Sequence, residues 1–264
     1  MLRLVGCELF KYKRNRILPV LTALAVLFPL ALILMTGSER NGADTPAELH
    51  AWYDGLFNDN LVYSSMLLFP GLFGCVAAIL FFAERDCDTF KSMRAIPITE
   101  NRLILAKLIV MYLWSEVYCL CSTAALTLFC FLLEPAAVAD VWFKLLCSML
   151  TGVTMATVTL PAAVIVIYGN QSWLLSVLLS FLYAVANWLL LILFAAKDSI
   201  LRWLPLLNGF FLTSRLWGWR KEMLGGEGLA ALPLSEYIRG GLYLLGIFLI
   251  CTLLIVRFYR KWSR

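Results

Sequence analysis

Glu116 is the one charged residue that stands well inside an apolar run, ten residues into Ala106–Leu133 and flanked by Trp114, Ser115 and Tyr118. Ten helical residues rise about 15 Å, so its carboxylate cannot reach either end and must face a bundle interior or a wet cavity. Two kinds of chemistry suit it there: contact with a cationic group on a passing substrate, or a protonatable switch. The plainer role is a helix–helix hydrogen bond, with Asn187, Ser180 or Thr123 as partner. Asn187 is the second polar candidate within the apolar runs. His50 is the only histidine, which removes every two-histidine metal site. It also leaves a hydrolytic nucleophile without a base at depth. His50 falls in an acidic stretch and is expected as a solvated loop residue. No Gly-rich loop ends in Lys-Ser/Thr, so the chain is not a P-loop ATPase. No catalytic residue, metal ligand set or resident cofactor is expected.

A second group of chemistry-bearing residues lies between two apolar runs. Glu84, Asp86 and Asp88 come first, then Thr89, Lys91, Ser92 and Arg94 interleaved with Phe90, Met93 and Ile96. Pro97 ends that stretch, because its ring excludes the helical carbonyl and restrains Ile96. Thr99, three residues before Arg102, can cap the next helix. The pattern reads either as a solvated connector or as a short amphipathic helix lying along the membrane face. The arm before the first run carries Arg3, Lys11, Lys13, Arg14 and Arg16, with Leu2, Val5 and Leu9 at helical spacing. It reads as an interfacial helix, or simply as a basic anchor.

The elements that position these residues follow from composition. The 264 residues are 62% hydrophobic and 15% charged, with a mean hydropathy of +0.84. Soluble domains hold far more charge, so the chain is read as embedded in a membrane. Six stretches approach the roughly 20 apolar residues that a span needs: Ile17–Met35, Leu61–Ala83, Ala106–Leu133, Leu145–Ile167, Trp173–Ala196 and Tyr237–Val256. Basic residues concentrate in the amino-terminal arm, the second connection and the carboxy-terminal tail, which predicts both termini on the cytoplasmic side. The fifth connection, 197–236, departs from this pattern with Lys197, Arg202, Arg215, Arg220 and Lys221. It is also apolar around Trp203, Pro205, Asn208 and Gly209. The expectation there is a re-entrant or interfacial pair of short helices at the outer face, broken at Pro205 and Gly209. Pro70-Gly71 and Pro161 are expected bends, and Thr151, Gly152, Thr154, Ala156 and Thr157 suit close helix packing. Cysteines fall in spans or on cytoplasmic segments, with no disulfide framework implied.

The arm reading Glu8-Leu-Phe-Lys11-Tyr-Lys13-Arg14, and the connection with Glu84, Asp88-Thr89-Phe90-Lys91 and Ile96-Pro97-Ile98-Thr99 before Lys107, resemble ABC-2 type permeases. The six-span layout over 1–264, with a re-entrant segment before the last span, resembles that family too. The resemblance implies an all-α membrane domain with an amino-terminal interfacial helix and a cytoplasmic coupling helix formed by Glu84–Pro97. It also implies an ABC ATPase dimer that carries ATP and Mg, and a second permease, identical or related. One departure is that the family often has a glycine near Asp88, whereas no glycine occurs between Gly74 and Gly152 here. Permeases of lantibiotic-immunity and bacitracin-type exporters are of similar length. That likeness implies an amphipathic peptide substrate, removed from a bacterial cell membrane for self-protection or resistance. Membrane lipids are expected partners and nucleic acid is not. Other functions considered are an ABC-2 permease for another substrate, a secondary transporter or channel, an intramembrane protease and a scaffold. No inverted repeat speaks for a secondary transporter.

Overall fold

The computed structural model describes residues 1–37, 45–86, 99–169, 173–193, 203–223 and 233–263, without the side chains of 12–14, 83–86 and 262–263. Asp88, Thr89, Lys91, Ser92, Arg94 and Pro97, and the side chains of Glu84 and Asp86, lie outside these residues. Every described element is helical, and six helices are long and apolar enough to cross a membrane. The protein is an all-α, multi-pass membrane protein.

Helix α1 (Leu2–Arg14) precedes α2 (Ile17–Met35). Between them the Asn15 side chain accepts the Ile17 amide at 2.9 Å, which starts the first span. Pro19 follows in the first turn, where its missing N–H leaves no helical bond unmade. The expected apolar stripe on α1 is only partly inward. Val5 and Glu8 are buried, while Leu2 is 89% exposed and Leu9 and Phe10 also point away from the bundle.

The second span begins earlier than expected. Helix α3 (Pro46–Asp59) opens with a capping box in which Thr45 and Glu48 satisfy each other's amides at 3.3 and 3.1 Å. It continues through π-helical turns at Asn60–Leu68 into α4 (Phe69–Asp86), so one continuous helical stretch replaces the expected loop and span. Trp52, Tyr53, Leu56 and Phe57, spaced three and four apart, are all buried, which supplies the apolar face that holds α3 to the bundle. His50 is therefore a helical, half-buried residue with Nδ1 3.1 Å from the Ala137 carbonyl, not a solvated loop residue. The helix continues through Pro70-Gly71. The irregularity lies just before it, where the Phe69 amide bonds the Ser64 carbonyl five residues back. A wider turn gives a proline ring the room that a straight α-turn denies it.

Helix α5 (Glu100–Leu133) starts at Thr99, which has cap geometry but no side-chain cap bond. It is followed by α6 (Val141–Gly169), α7 (Trp173–Leu193), α8 (Pro205–Met223) and α9 (Leu234–Ser263). Small residues set the tightest approaches. A Cβ on Gly74 would lie 1.8 Å from Ser180 Oγ, and one on Gly71 2.4 Å from the Phe181 ring, so α4 and α7 touch nearly backbone to side chain.

The expected pair of outer helices is a single helix, α8. Pro205 sits at its start, where proline is tolerated, and Gly209 does not break it. Gly209 instead fits against Val158 of α6, whose Cγ1 would be 2.9 Å from an added Cβ. Arg220, further along α8, meets Asp140 just before α6. Helix α8 thus runs antiparallel to α6, from the depth of Val158 to the end at which α6 begins. Its basic, mixed composition leaves it outside the six apolar helices.

Candidate functional site

The polar groups at depth form a seam along α5. Ser122 donates to Asn60 Oδ1 at 3.0 Å, and the Ser64 and Tyr118 hydroxyls meet at 3.3 Å, both on the π-helical side. Toward α6, Thr123 pairs with Ser148, Ser115 donates to the Gly152 carbonyl at 2.7 Å, and Tyr112 pairs with Thr157 at 2.8 Å. Hydroxyls are well suited to this role because each can donate and accept. Between the π-helical turns and α5 they border a cavity of about 20 Å³, lined by Asn60, Ser64, Tyr118, Ser122 and Thr151 among others. That is room for one water, and the polar lining supplies the partners it needs.

Glu116 stands beside this seam, midway along α5. Both carboxylate oxygens are buried and have no hydrogen-bond partner among the described residues. They lie over Gly152, where an added Cβ would come within 2.5 Å of Oε1. The three expected partners are otherwise engaged. Asn187 donates to the Tyr183 carbonyl at 2.8 Å, Ser180 donates to the Ser176 carbonyl at 3.0 Å, and Thr123 pairs with Ser148. No described hydrogen bond joins Glu116 to Asn187. Thr151, Thr154 and Thr157 donate back to carbonyls of their own helix at 2.7, 2.8 and 2.9 Å, which leaves Gly152 as the group that admits Glu116.

Each end of the bundle adds a buried lysine whose sequence position marks it only as near a helix end. At the end shared by α1, α4, α5 and α9, Lys107 bonds Glu8 at 3.1 Å and the Leu80 carbonyl at 2.7 Å. At the opposite end, Lys144 bonds Asp54 and the Ala139 carbonyl, each at 2.8 Å, with the Tyr53 ring centroid 3.9 Å away and Trp217 at 5.0 Å. Beside it Arg220 grips Asp140 with two bonds of 2.8 and 3.1 Å. Those hydrogen bonds hold the Asp140 carboxyl below its usual range and raise the Arg220 guanidinium. Asp140 has φ 52°, a left-handed conformation that aspartate tolerates better than most residues. The one available sequence signal for Glu8 was an acid set among Val5, Leu9 and basic residues on a helix. Nothing in the sequence marked Lys144.

The outer-segment candidates scatter along α8. Trp203 is exposed and its carbonyl accepts the Tyr243 hydroxyl. Pro205 opens the helix, the Asn208 amide bonds Leu204 at 2.9 Å, Gly209 packs on Val158, and Arg215 is half-buried. Arg220, not singled out beforehand, carries the ionic contact to the rest of the chain.

Six apolar helices around a buried polar seam make this a multi-pass membrane protein. The sequence profile of the family described as ABC-2 family transporter protein matches residues 4–187, from α1 into α7. The chain belongs to that family and is the permease subunit of an ABC transporter, which works with an ABC ATPase and is not itself that ATPase. No curated protein matches the chain.

Proposed function

We propose that this permease is the transmembrane half of an exporter that removes an amphipathic peptide antibiotic, lantibiotic-like or bacitracin-like, from a bacterial cell membrane. The observation that carries the substrate class is Glu116, a carboxylate without a described protein partner beside a seam of hydroxyls in the middle of the bundle. An acid at that position suits a cationic, membrane-partitioned ligand.

In this reading two six-span chains, identical or related, pair with two ATPases that hold ATP and Mg, and lipids surround them. Both termini are cytoplasmic, because the amino-terminal arm, the second connection and the tail concentrate basic charge. The ATPase docks on the connection of Glu84, Asp86, Asp88, Thr89, Lys91, Ser92, Arg94 and Pro97. Helix α8 then acts as the gate at the outer face. Its exceptional positive charge is reconciled with that side by Arg220, which is committed to Asp140.

The test is a protection and retention assay in bacteria that express the permease with its ATPase. Wild type should protect against the peptide and retain the ATPase on purification. Charge reversal at Asp88, Lys91 and Arg94 should release the ATPase, and Glu116→Gln should keep the ATPase but lower protection. Full protection by Glu116→Gln removes the substrate role of the carboxylate, and an ATPase that stays bound after charge reversal removes the docking assignment.

A further inference from the structure

Three parts of the chain meet at one ammonium group. Lys107 Nζ donates to Glu8 Oε2 at 3.1 Å and to the Leu80 carbonyl at 2.7 Å. Lys107 and Glu8 are each 1% exposed. The second Glu8 oxygen accepts from Lys11 at 2.7 Å. Leu80 is in the last turns of α4 and Lys107 in the first turns of α5, so these residues belong to the two stems of the connection that joins the second and third spans. Lys107 ties the stems to each other, and Glu8 ties α1 to both.

The rest of α1 is lightly held. Val5 is its only other buried side chain among those described, and Leu2, Leu9 and Phe10 face outward. A helix attached by few apolar contacts follows whatever its ionic anchor does. A buried ion pair also depends steeply on geometry, because neither charge has water to fall back on. Small displacements of either stem are therefore felt at Glu8 and passed to α1.

We propose that Glu8 and Lys107 are positioning residues that carry the state of the docked ATPase from the connection to α1. This rests on the docking of an ABC ATPase on that connection. The motion delivered is a shift of α1, whose exposed apolar side chains and basic arm then sit differently on the inner leaflet.

Cys7, next to Glu8 and exposed, provides a native reporter. The experiment uses the full permease–ATPase complex in proteoliposomes, with an environment-sensitive fluorophore on Cys7 and Cys87→Ser to restrict labelling. Wild type should show an emission change on trapping with ATP and vanadate. Glu8→Gln and Lys107→Met should each reduce that change about fivefold or more, given the sensitivity of buried pairs, with ATPase retention unchanged. Glu8→Gln leaves the Lys107–Leu80 bond in place, so it serves where Lys107→Met accumulates poorly. An undiminished signal in Glu8→Gln with the ATPase bound overturns the proposal. So does a parallel loss of signal and retention, which is what a merely structural pair would give. If the wild-type chain retains no ATPase, the docking assignment itself fails, and this proposal with it, before any variant is compared.

Discussion

The two ends of the bundle each bury a lysine, and they secure it in different ways. At the end shared with α1, Lys107 meets the Glu8 carboxylate and the Leu80 carbonyl, with the Phe81 ring at 5.8 Å. Both charged groups are sealed from solvent. At the other end Lys144 has Asp54, the Ala139 carbonyl, the faces of Tyr53, Trp217 and Phe57, and a second ion pair alongside. Asp54 there keeps 18% of its side chain exposed. The first arrangement is a junction at which three segments share one charge. The second is a redundant latch that holds α3, α6 and α8 together by several contacts at once. Charge buried in a low-dielectric setting is costly to strand, so the end whose carboxylate water can reach should tolerate change better.

The largest effect should come from setting Lys107→Met against Lys144→Met. Removing Lys107 breaks a sealed ion pair while Glu8 keeps its Lys11 contact, and should destabilise by up to about 3–5 kcal/mol, the range for a broken buried pair. Methionine at 144 keeps the volume and the aromatic contacts, and leaves an Asp54 that water can reach, so its cost should be clearly smaller. Thermal unfolding of the purified permease in lipid nanodiscs measures both. Equal or reversed losses would break the contrast between junction and latch.

A middle-sized effect concerns the seam between those ends. Gly74→Ala meets Ser180 at its Oγ and Cβ, 1.8 and 2.2 Å from the new atom, so α4 and α7 must separate. Overpacking of this kind costs about 1–3 kcal/mol. Gly152→Ala meets only the end of the Glu116 side chain at 2.5 Å, which can move aside, so it should cost less. Its residual cost should vanish in a Glu116→Ala background but not in a Ser180→Gly one. A double-mutant cycle on the same unfolding assay reads this coupling.

The smallest effect should be the pH response of the latch. Because Arg220 depresses the Asp140 carboxyl, the pair stabilises the fold above the unfolded aspartate range, and that contribution fades as pH falls through the depressed folded value. Asp140→Asn keeps a residue that accepts the left-handed backbone at φ 52° and removes the titration. Its unfolding temperature should lose the part of the acid dependence that wild type shows below the usual carboxylate range, with little change at neutral pH. An unchanged acid profile would show that the latch draws nothing from this pair.

Much of the architecture could be read along the chain. Six apolar runs long enough to span, Glu116 in the middle of one, and the lack of a phosphate-binding loop are all one-dimensional properties. Helix starts were read less well. The stretch from Pro46 to Asp59 carries enough charge to look like loop, yet its aromatic residues at helical spacing bury as one face. Pro205 and Gly209 favour a break locally, yet one opens a helix and the other admits Val158. In both cases a residue's local tendency was overridden by the surface against which it packs.

The candidate site divides in the same way. Sequence alone determined that this protein is a six-span membrane protein with one deep carboxylate, because hydrophobic length and the cost of charge in hydrocarbon act on each segment separately. Only the tertiary structure decided which charges meet. Glu8 finds Lys107 across 99 positions, Arg220 finds Asp140 across 80, and Glu116 finds the bare backbone of Gly152 instead of the expected amide or hydroxyl. Periodicity reports which face of a helix turns inward. The neighbour on the far side of that face is set by how helices distant in sequence stack, and a pattern along one chain segment carries no record of it.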